Sequence, residues 1–577
     1  MTVGIYKPTP EQAAIIGHKG HAFVRACPGS GKTRTMVERA RVVLADRTDR
    51  RSVAFLSFTN AAADELASRL AMFGALPTPL FPNFIGTFDR FLWQFLIAPF
   101  GVEGCTVVPR LVPDKKDWVV KPPYDKAQAL TLECFDRQTG SLIQAKADEV
   151  AFAPKNGPGA WETTARNIIA RSLVEGRLDF DDVRACVRKR LADKAFAVRI
   201  GTALTGRFRE IVVDEAQDCN LADLEIVAWL RSSGLTIKII CDPNQGIYGF
   251  RGGVADELDV FAHTFEQDDR LPMSGNFRSS PAICAAISQL RPPASRGKPD
   301  QALGRYKDET TPVHLLSYSG RAVSPKIGPA FLALAQGLGI EPKDAPLLAS
   351  TWSSASNAAG RRAVDVPSDK TLLLAQSVMS FLSAFDAGNR REALGRLHRT
   401  VLMIRGHIAQ KGEYRTHLIK SEGEGGGWRP EIIAIGQALK PTAGETADQW
   451  LSRARVLLNR DLVGTLTINQ RLRTNAELGA MLTTEQATNL PASSIHAVKG
   501  LEFSAVCVVL PPQTAGQILD VLKGVNTIPK FIEGARKVYV AGSRAERLLA
   551  IATPKSQVHT LKGLIEVGGM TVTVSEI

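Results

Sequence analysis

The stretch that most constrains the fold is AFVRACPGSGKTRTMVERA, residues 22–40. An apolar run from Ala22 to Ala26 reads as a buried strand. Gly29-Ser30-Gly31-Lys32-Thr33 then opens an amphipathic segment with Met36, Val37 and Ala40 on one side. Strand, glycine turn and helix start together make a phosphate-binding loop of the Walker A kind. The glycines let backbone N–H groups turn inward without a Cβ clash, and the helix N-terminus adds its positive dipole end. In such a loop Lys32 reaches the β/γ-phosphates and the Thr33 hydroxyl ligates Mg²⁺. Ala26 stands where the pattern commonly begins with glycine, and a tight turn with these letters by chance is the competing reading of the loop alone.

A loop of this type belongs to an open α/β sheet, so further strands ending in polar residues are expected. Val53–Asn60 reads as a strand running into an alanine-rich helix at 61–71, and Phe84–Phe88 as a strand leading to Asp89-Arg90-Phe91. Glu210–Asp218 (EIVVDEAQD) delivers two adjacent carboxylates at the C-terminal end of a buried strand, where open α/β sheets bind ligands. There Asp214 would hold the Mg²⁺ of a nucleotide and Glu215 would orient and deprotonate an attacking water. A solvated turn is the bland alternative for such a pair. Ile237–Asp242 is another buried strand and empties into Pro243–Gly252. In that loop Gln245 can sense a γ-phosphate. Tyr248 and Phe250 beside Arg251 suit stacking on single-stranded bases, or else the two rings are core and the arginine is surface. Upstream, Gln12 follows a helix start at Thr9-Pro10-Glu11; its amide matches the N6/N7 edge of adenine, and a plain surface glutamine is the alternative.

Between these strands, residues 93–206 are more polar and irregular and read as an insertion, helical-looking at 162–203. Asn276–Pro281 (NFRSSP) starts a helix through Leu290, and Val313–Ser317 and Pro346–Ser350 read as strands of a second sheet with a helix at 326–338 between them. From 357 to 489 the pattern is largely helical, broken by the glycine-rich Glu422–Gly427. The sheet returns at Ala492–Phe503 (ASSIHAVKGLEF) and Ala505–Leu510. Lys537–Ala545 then reads as a strand joined to a helix ahead of Leu548–Ile551, and about two dozen residues follow the last motif, too few for another domain.

At 577 residues the chain has room for about three or four domains. Its net charge of +13 points to a polyanionic partner, nucleic acid first and anionic membrane second, with a merely basic solvated surface as the alternative that charge alone leaves open. The eight cysteines are scattered without a metal-type spacing, which argues against structural zinc and for a reducing compartment. With no leader-like start and no membrane-length apolar run, a soluble cytoplasmic protein with no membrane partner is expected.

In their order, GSGKT, FTNAAA, GTFDRF, VVDEAQD, CDPNQGIYGFRG, NFRSSP, IHAVKGLEF and YVAGSRA resemble the motif series of the UvrD/Rep-type superfamily 1A DNA helicases, over roughly 1–92, 207–356 and 490–565. The compact size resembles the helicases of Gabija-type anti-phage systems. The resemblance implies an α/β fold of two RecA-like parallel-sheet motor lobes, each with a mostly helical inserted accessory subdomain. The first lobe would be 1–92 and 207–275 with insertion 93–206, and the second 276–356 and 490–577 with insertion 357–489. It implies ATP and Mg²⁺ as cofactors, with Gln12 and Arg34 on adenine, Phe277 stacking on it, and Gly29, Ser30, Gly31, Lys32 and Thr33 around the phosphates. Arg278 and Arg544 resemble the two arginines that close on the γ-phosphate, and Glu502 the residue that holds the ribose. Phe58, Thr59, Asn60, Thr87, Tyr248, Phe250, Arg251, His496 and Lys499 resemble DNA-contacting positions. Ala62, Asp89 and Gly246 depart from the family's common lysine, histidine and serine; the first two remove a cation from a DNA channel. The implied activity is ATP-dependent 3′–5′ translocation on single-stranded or forked DNA with unwinding, in repair or antiviral defence. The alternative is a DNA-stimulated ATPase that senses ends or single strands and regulates a partner nuclease. No nuclease signature follows the last motif.

Overall fold

Two six-stranded sheets, each with all its strands parallel, organise the structure, a computed structural model that describes residues 7–45, 48–72, 80–112, 115–124, 127–150, 152–154, 156–247, 255–361, 369–386, 390–409, 413–414, 417–418, 427–482, 488–567 and 569–577. In the first sheet the strands run 270–273, 22–26, 236–241, 208–214, 52–57, 84–87. The register pairs Phe23 with Ile239 and Val213 with Ile239 across neighbouring strands. Runs such as Ile237–Cys241 and Ile211–Asp214 are buried along their whole length, as strands covered on both faces must be. This order makes 22–26, 236–241 and 208–214 direct neighbours, so the glycine loop, Asp242 and the Asp214–Glu215 pair leave the same edge of the sheet side by side.

The second sheet runs 492–494, 347–349, 503–509, 545–554, 313–318, 572–576. Its core includes Leu315, Val506, Val508, Ile518, Tyr539 and Leu549 on one side, and Leu316, Phe331, Leu347, Cys507 and Ala550 on the other. One feature differs from the sequence reading. Residues 537–542 are the end of a helix, Pro529–Gly542, and the strand is Ala545–Pro554. Pro529 sits at the first helical turn, and Ala535, Val538, Tyr539 and Gly542 are buried at helical spacing, a pattern that a short apolar run conceals. The residues after the last motif form a helix, Val558–Glu566, and a strand, Val572–Glu576, which pairs with 313–317 and completes the sheet.

The chain divides into two compact units: 1–96, 190–360 and 486–577 form one, and 97–189 with 361–485 the other. Both sheets lie in the first unit. Residues 97–189, which follow the first sheet's early strands in sequence, lie in the second unit, and 190–206 lie in the first. The helix Lys194–Arg207 buries Phe196, Ile200 and Leu204 and runs straight into the strand Phe208–Asp214.

In the second unit, residues 97–189 pack Leu130, Leu132, Phe135, Trp161 and Ile169 into a small core. A buried ionic quartet accompanies it. Lys115 donates to the Asp182 carboxylate, to Ser172 Oγ at 2.5 Å and to the Arg177 carbonyl at 3.1 Å. Arg137 binds Asp179 at 3.2 Å and Asp182 at 3.5 Å, while Asp179 and Asp182 each accept the other's backbone N–H at 3.0 Å. Residues 361–485 bury Leu374, Val378, Leu397, Val401, Trp450 and Leu458 between helices that include Lys370–Asp386, Arg390–Arg405 and Ala447–Leu458. Of the glycine-rich Glu422–Gly427, all but Gly427 lie outside the described residues. Among the described residues no helix is long and apolar enough to cross a membrane.

Candidate nucleotide site

The glycine loop is held open from both sides. Gly29 and Gly31 have φ of 68° and 77°, a region that a Cβ makes costly. A Cβ on Gly29 would in addition lie 2.5 Å from the Asn276 amide oxygen and 2.7 Å from Arg278 Cβ. The Phe277 N–H donates to the Gly29 carbonyl at 2.8 Å. Asn276 is buried, its side-chain oxygen accepts the N–H groups of Arg278 at 2.8 Å and Ser279 at 3.0 Å, and its amide nitrogen has no partner. Phe277 is 38% exposed. Gln12 is buried, not on the surface. Its Nε2 donates to the Ser30 carbonyl at 3.0 Å and its Oε1 accepts the Thr9 N–H at 3.1 Å, so one amide caps the helix Pro10–Gly17 and braces the loop.

Lys32 Nζ lies 3.9 Å from the Glu215 carboxylate. Burial works against its ammonium, but the carboxylates of Glu215, Asp242 and Asp214 outweigh that and leave the pKa raised. Asp214 is pushed the other way for a carboxylate: burial first, then the Glu215 charge, raise its pKa. Its Oδ1 is buried with no hydrogen-bond partner, as are Ser30 Oγ and Thr35 Oγ1 in the loop region. A buried carboxylate oxygen without a hydrogen-bond partner beside the glycine loop has room for a cation, so Asp214 with the Thr33 hydroxyl fits Mg²⁺. Glu215 has the opposite balance. Burial would raise its pKa, but Lys32, Lys499, a hydrogen bond from Gln217 and Arg544 together hold it low.

Glu215 has φ of 56°, a strained conformation for a side-chain-bearing residue, and the turn around it is heavily tied. The Gln217 amide donates to its carboxylate and accepts the Asp242 N–H at 3.1 Å, and the Asp218 N–H donates to its carbonyl at 2.9 Å.

Residues of the second sheet and its helices complete the site. Arg278 donates to the Ser543 carbonyl at 2.8 Å and to the Glu502 carboxylate, while its Nε is buried without a partner. Arg544 is 4% exposed; it donates to Gln245 Oε1 and to the Val540 carbonyl at 3.3 Å. Burial, then the like charge of Arg278, lower its pKa to about 10. Gln245 in turn donates to Asp242 at 2.8 Å, and the Tyr539 hydroxyl donates to the same carboxylate oxygen at 3.1 Å. The structure therefore gathers Gln12, Lys32, Asp214, Glu215, Gln245, Phe277, Arg278, Glu502 and Arg544 around one seam. Arg34, in the first turn of the loop helix, faces Glu38 at 3.3 Å. Sequence reasoning passed over Asp242, Gln217, Asp218, Asn276 and Tyr539. All five sit inside the recognised motifs or next to them, but their role is to hold neighbours, which residue type alone does not signal.

The expected strand-contacting residues divide. Phe58 stacks on Phe88 with ring centroids 5.5 Å apart. Thr59 accepts the Ala62 N–H and Thr87 the Arg90 N–H, each at 3.2 Å, so both hydroxyls cap helices that follow the adjacent strands 52–57 and 84–87. Asn60 is exposed at its helix start, and His496 lies in the short helix Ile495–Val498. Lys499, expected on DNA, is bonded to both oxygens of Asp218 at 2.5 and 2.6 Å. An ammonium has three donors and no acceptor, and a buried carboxylate is the nearest way to satisfy it. Tyr248, Phe250 and Arg251 lie outside the described residues. Among the described residues no group of three or more His, Cys, Asp or Glu side chains is placed to hold a metal.

Residues 8–266 match the UvrD/REP helicase N-terminal domain. The chain is 23% identical over 298 residues to DNA helicase II of Escherichia coli, covering 48% of this chain and 39% of that protein. It is 25% identical over 268 residues to the Gabija protein GajB of Bacillus cereus, covering 46% and 45%. Over 580 residues it is 25% identical to the ATP-dependent DNA helicase UvrD2 of Mycobacterium tuberculosis, covering 94% of this chain and 78% of that one. The chain thus spans about two fifths of DNA helicase II, with a longer match to UvrD2.

Proposed function

We infer that this chain, which carries a UvrD/REP helicase N-terminal domain and resembles UvrD-type DNA helicases along most of its length, is an ATP-dependent 3′–5′ single-strand translocase and DNA helicase. The observation that supports this most is the convergence of Lys32 and Glu215 from the first sheet with Arg278 and Arg544 from the second. ATP bound there has charge spreading over its γ-phosphate in the transition state, and groups from both lobes stabilise it. Thr33 and Asp214 would hold the Mg²⁺, which supplies further neutralisation of phosphate charge. Glu215, kept ionised beside Lys32, orients and deprotonates the attacking water.

Arg544 donates to Gln245 and Arg278 to Glu502. Exchanging those partners for phosphate ties hydrolysis to closure of the seam, and arginines in this role supply on the order of 10³–10⁵ in rate. Alternating closure and opening moves the chain along a strand, with base stacking worth about 1–3 kcal/mol per step and no sequence preference. The net charge of +13 suits a phosphate backbone partner.

The test is a forked-duplex assay with the purified chain, ATP and Mg²⁺. A duplex with a 3′ single-stranded tail is expected to be unwound and one with a 5′ tail left intact. Unwinding of the 5′-tailed duplex instead reverses the polarity. Similarity to GajB and the missing cations at Ala62 and Asp89 favour a second reading: DNA-stimulated ATP hydrolysis that regulates a partner nuclease in antiviral defence. Hydrolysis stimulated by single strands without separation of either duplex selects it.

A further inference from the structure

We propose that Asp218 is a positioning residue for nucleotide turnover: by holding Lys499 it fixes the turn that carries Glu215 against the second sheet. This rests on the ATPase reading above.

The pair joins residues 281 positions apart, with both carboxylate oxygens engaged at 2.5 and 2.6 Å. Its side chains are only 10% and 5% exposed, so water competes weakly for either charge. Each end reaches catalytic machinery within a few residues. On one side, the Asp218 N–H bonds the Glu215 carbonyl, and Gln217 between them bonds the Glu215 carboxylate. A residue in the left-handed region persists only when its surroundings hold it, and the Asp218 contact is one of those holds. On the other side, Lys499 leads through Gly500, with φ of 88°, to Glu502, the carboxylate on which Arg278 rests. One short segment therefore connects the strained turn of the first sheet to an arginine of the second.

Charge holds the contact. With Asp218 neutral, the charge-assisted bonds to Lys499 are lost or weakened, and the turn is no longer tied to the second sheet. A Glu215 whose turn is not fixed cannot orient water, while the glycine loop that binds nucleotide is untouched. The expected signature is loss of kcat with KM unchanged, the pattern of an interaction needed in the transition state and not for binding.

The experiment measures ATP turnover by the full-length chain at saturating oligo-dT, together with affinity for a fluorescent ADP analogue. Asp218→Asn is expected to lower kcat at least tenfold, with KM for ATP and analogue affinity within twofold of the unsubstituted chain. Asp218→Glu, which keeps the charge, is expected to recover most of the loss, and a purely packing role predicts no such recovery. A kcat for Asp218→Asn within twofold of the unsubstituted chain overturns the proposal, as does a loss that Asp218→Glu shares in full. If Asp218→Asn no longer binds the analogue, Lys499→Met takes its place: the same kcat loss supports the proposal and unchanged kcat overturns it. An unsubstituted chain without strand-stimulated turnover overturns the ATPase reading itself, and this is measured first.

Discussion

The nucleotide seam and the ionic quartet of residues 97–189 both bury several charges, and they differ in how those charges are satisfied. In the quartet, Lys115, Arg137, Asp179 and Asp182 saturate one another, with Ser172 and the Arg177 carbonyl taking up the remaining lysine bonds. At the seam, Asp214 Oδ1, Arg278 Nε, the Asn276 amide nitrogen and Ser30 Oγ are buried without partners. Leaving such groups unmade costs about 1–3 kcal/mol each, a cost tolerated where a ligand completes them. Buried charge by itself is no sign of a site; what distinguishes the seam is that several such groups lie together beside the glycine loop. The quartet belongs to stability and the seam to chemistry.

Three substitutions press on that contrast. The largest effect is expected at the seam: Arg544→Ala should lower the rate of ATP turnover by about 10³-fold or more while ADP-analogue binding stays nearly intact. A turnover loss that merely tracks lost binding would remove Arg544 from the transition-state role. In the quartet, Lys115→Met leaves Asp182 buried against Asp179 with one cation fewer. Chemical denaturation should show the unit that holds 97–189 destabilised by about 3–5 kcal/mol, with turnover per folded molecule little changed. Equal loss of turnover and stability would erase the distinction between the two clusters.

The smallest effect concerns His398 in the other inserted segment. It stacks on Trp428 at 3.9 Å and shares a hydrogen bond with the Tyr414 hydroxyl at 3.0 Å. Burial, then the neighbouring His417 and Arg405, lower its pKa to about 4. A histidine depressed on folding takes up protons more readily when unfolded, so its contribution is complete above the ordinary value of about 6.5 and is lost as pH falls from there toward 4. Melting temperature should drop by a few degrees over that window and less steeply in His398→Gln, while kcat per folded molecule does not follow. A melting profile with the same slope in both proteins would show that other groups set it.

How much of this was legible beforehand follows from where each signal lives. The glycine loop, the strand ends at Asp214 and Asp242 and the arginines of NFRSSP and AGSRA are local patterns, and the fold class followed from them because a phosphate loop needs a strand before it and a helix after it. The last turns of the helix Pro529–Gly542, from Lys537 on, read as strand because six consecutive apolar or small residues satisfy either period; packing of Ala535, Val538 and Tyr539 into the second sheet's core decided it. Strand Val572–Glu576 alternates weakly, with exposed Thr573 and Val574, and only pairing with 313–317 makes it a strand.

The amino-acid order alone thus determined which groups exist to bind phosphate, a cation and charge in transit, because each is written within a few neighbouring residues. Tertiary structure alone decided which partner each group holds. That Lys499 lies on Asp218, Gln12 on the loop carbonyl and Arg544 on Gln245 depends on segments up to 299 positions apart meeting in space. A side chain's charge is fixed by its type, but the group that neutralises it is fixed by distance, and distance is a property of the folded chain.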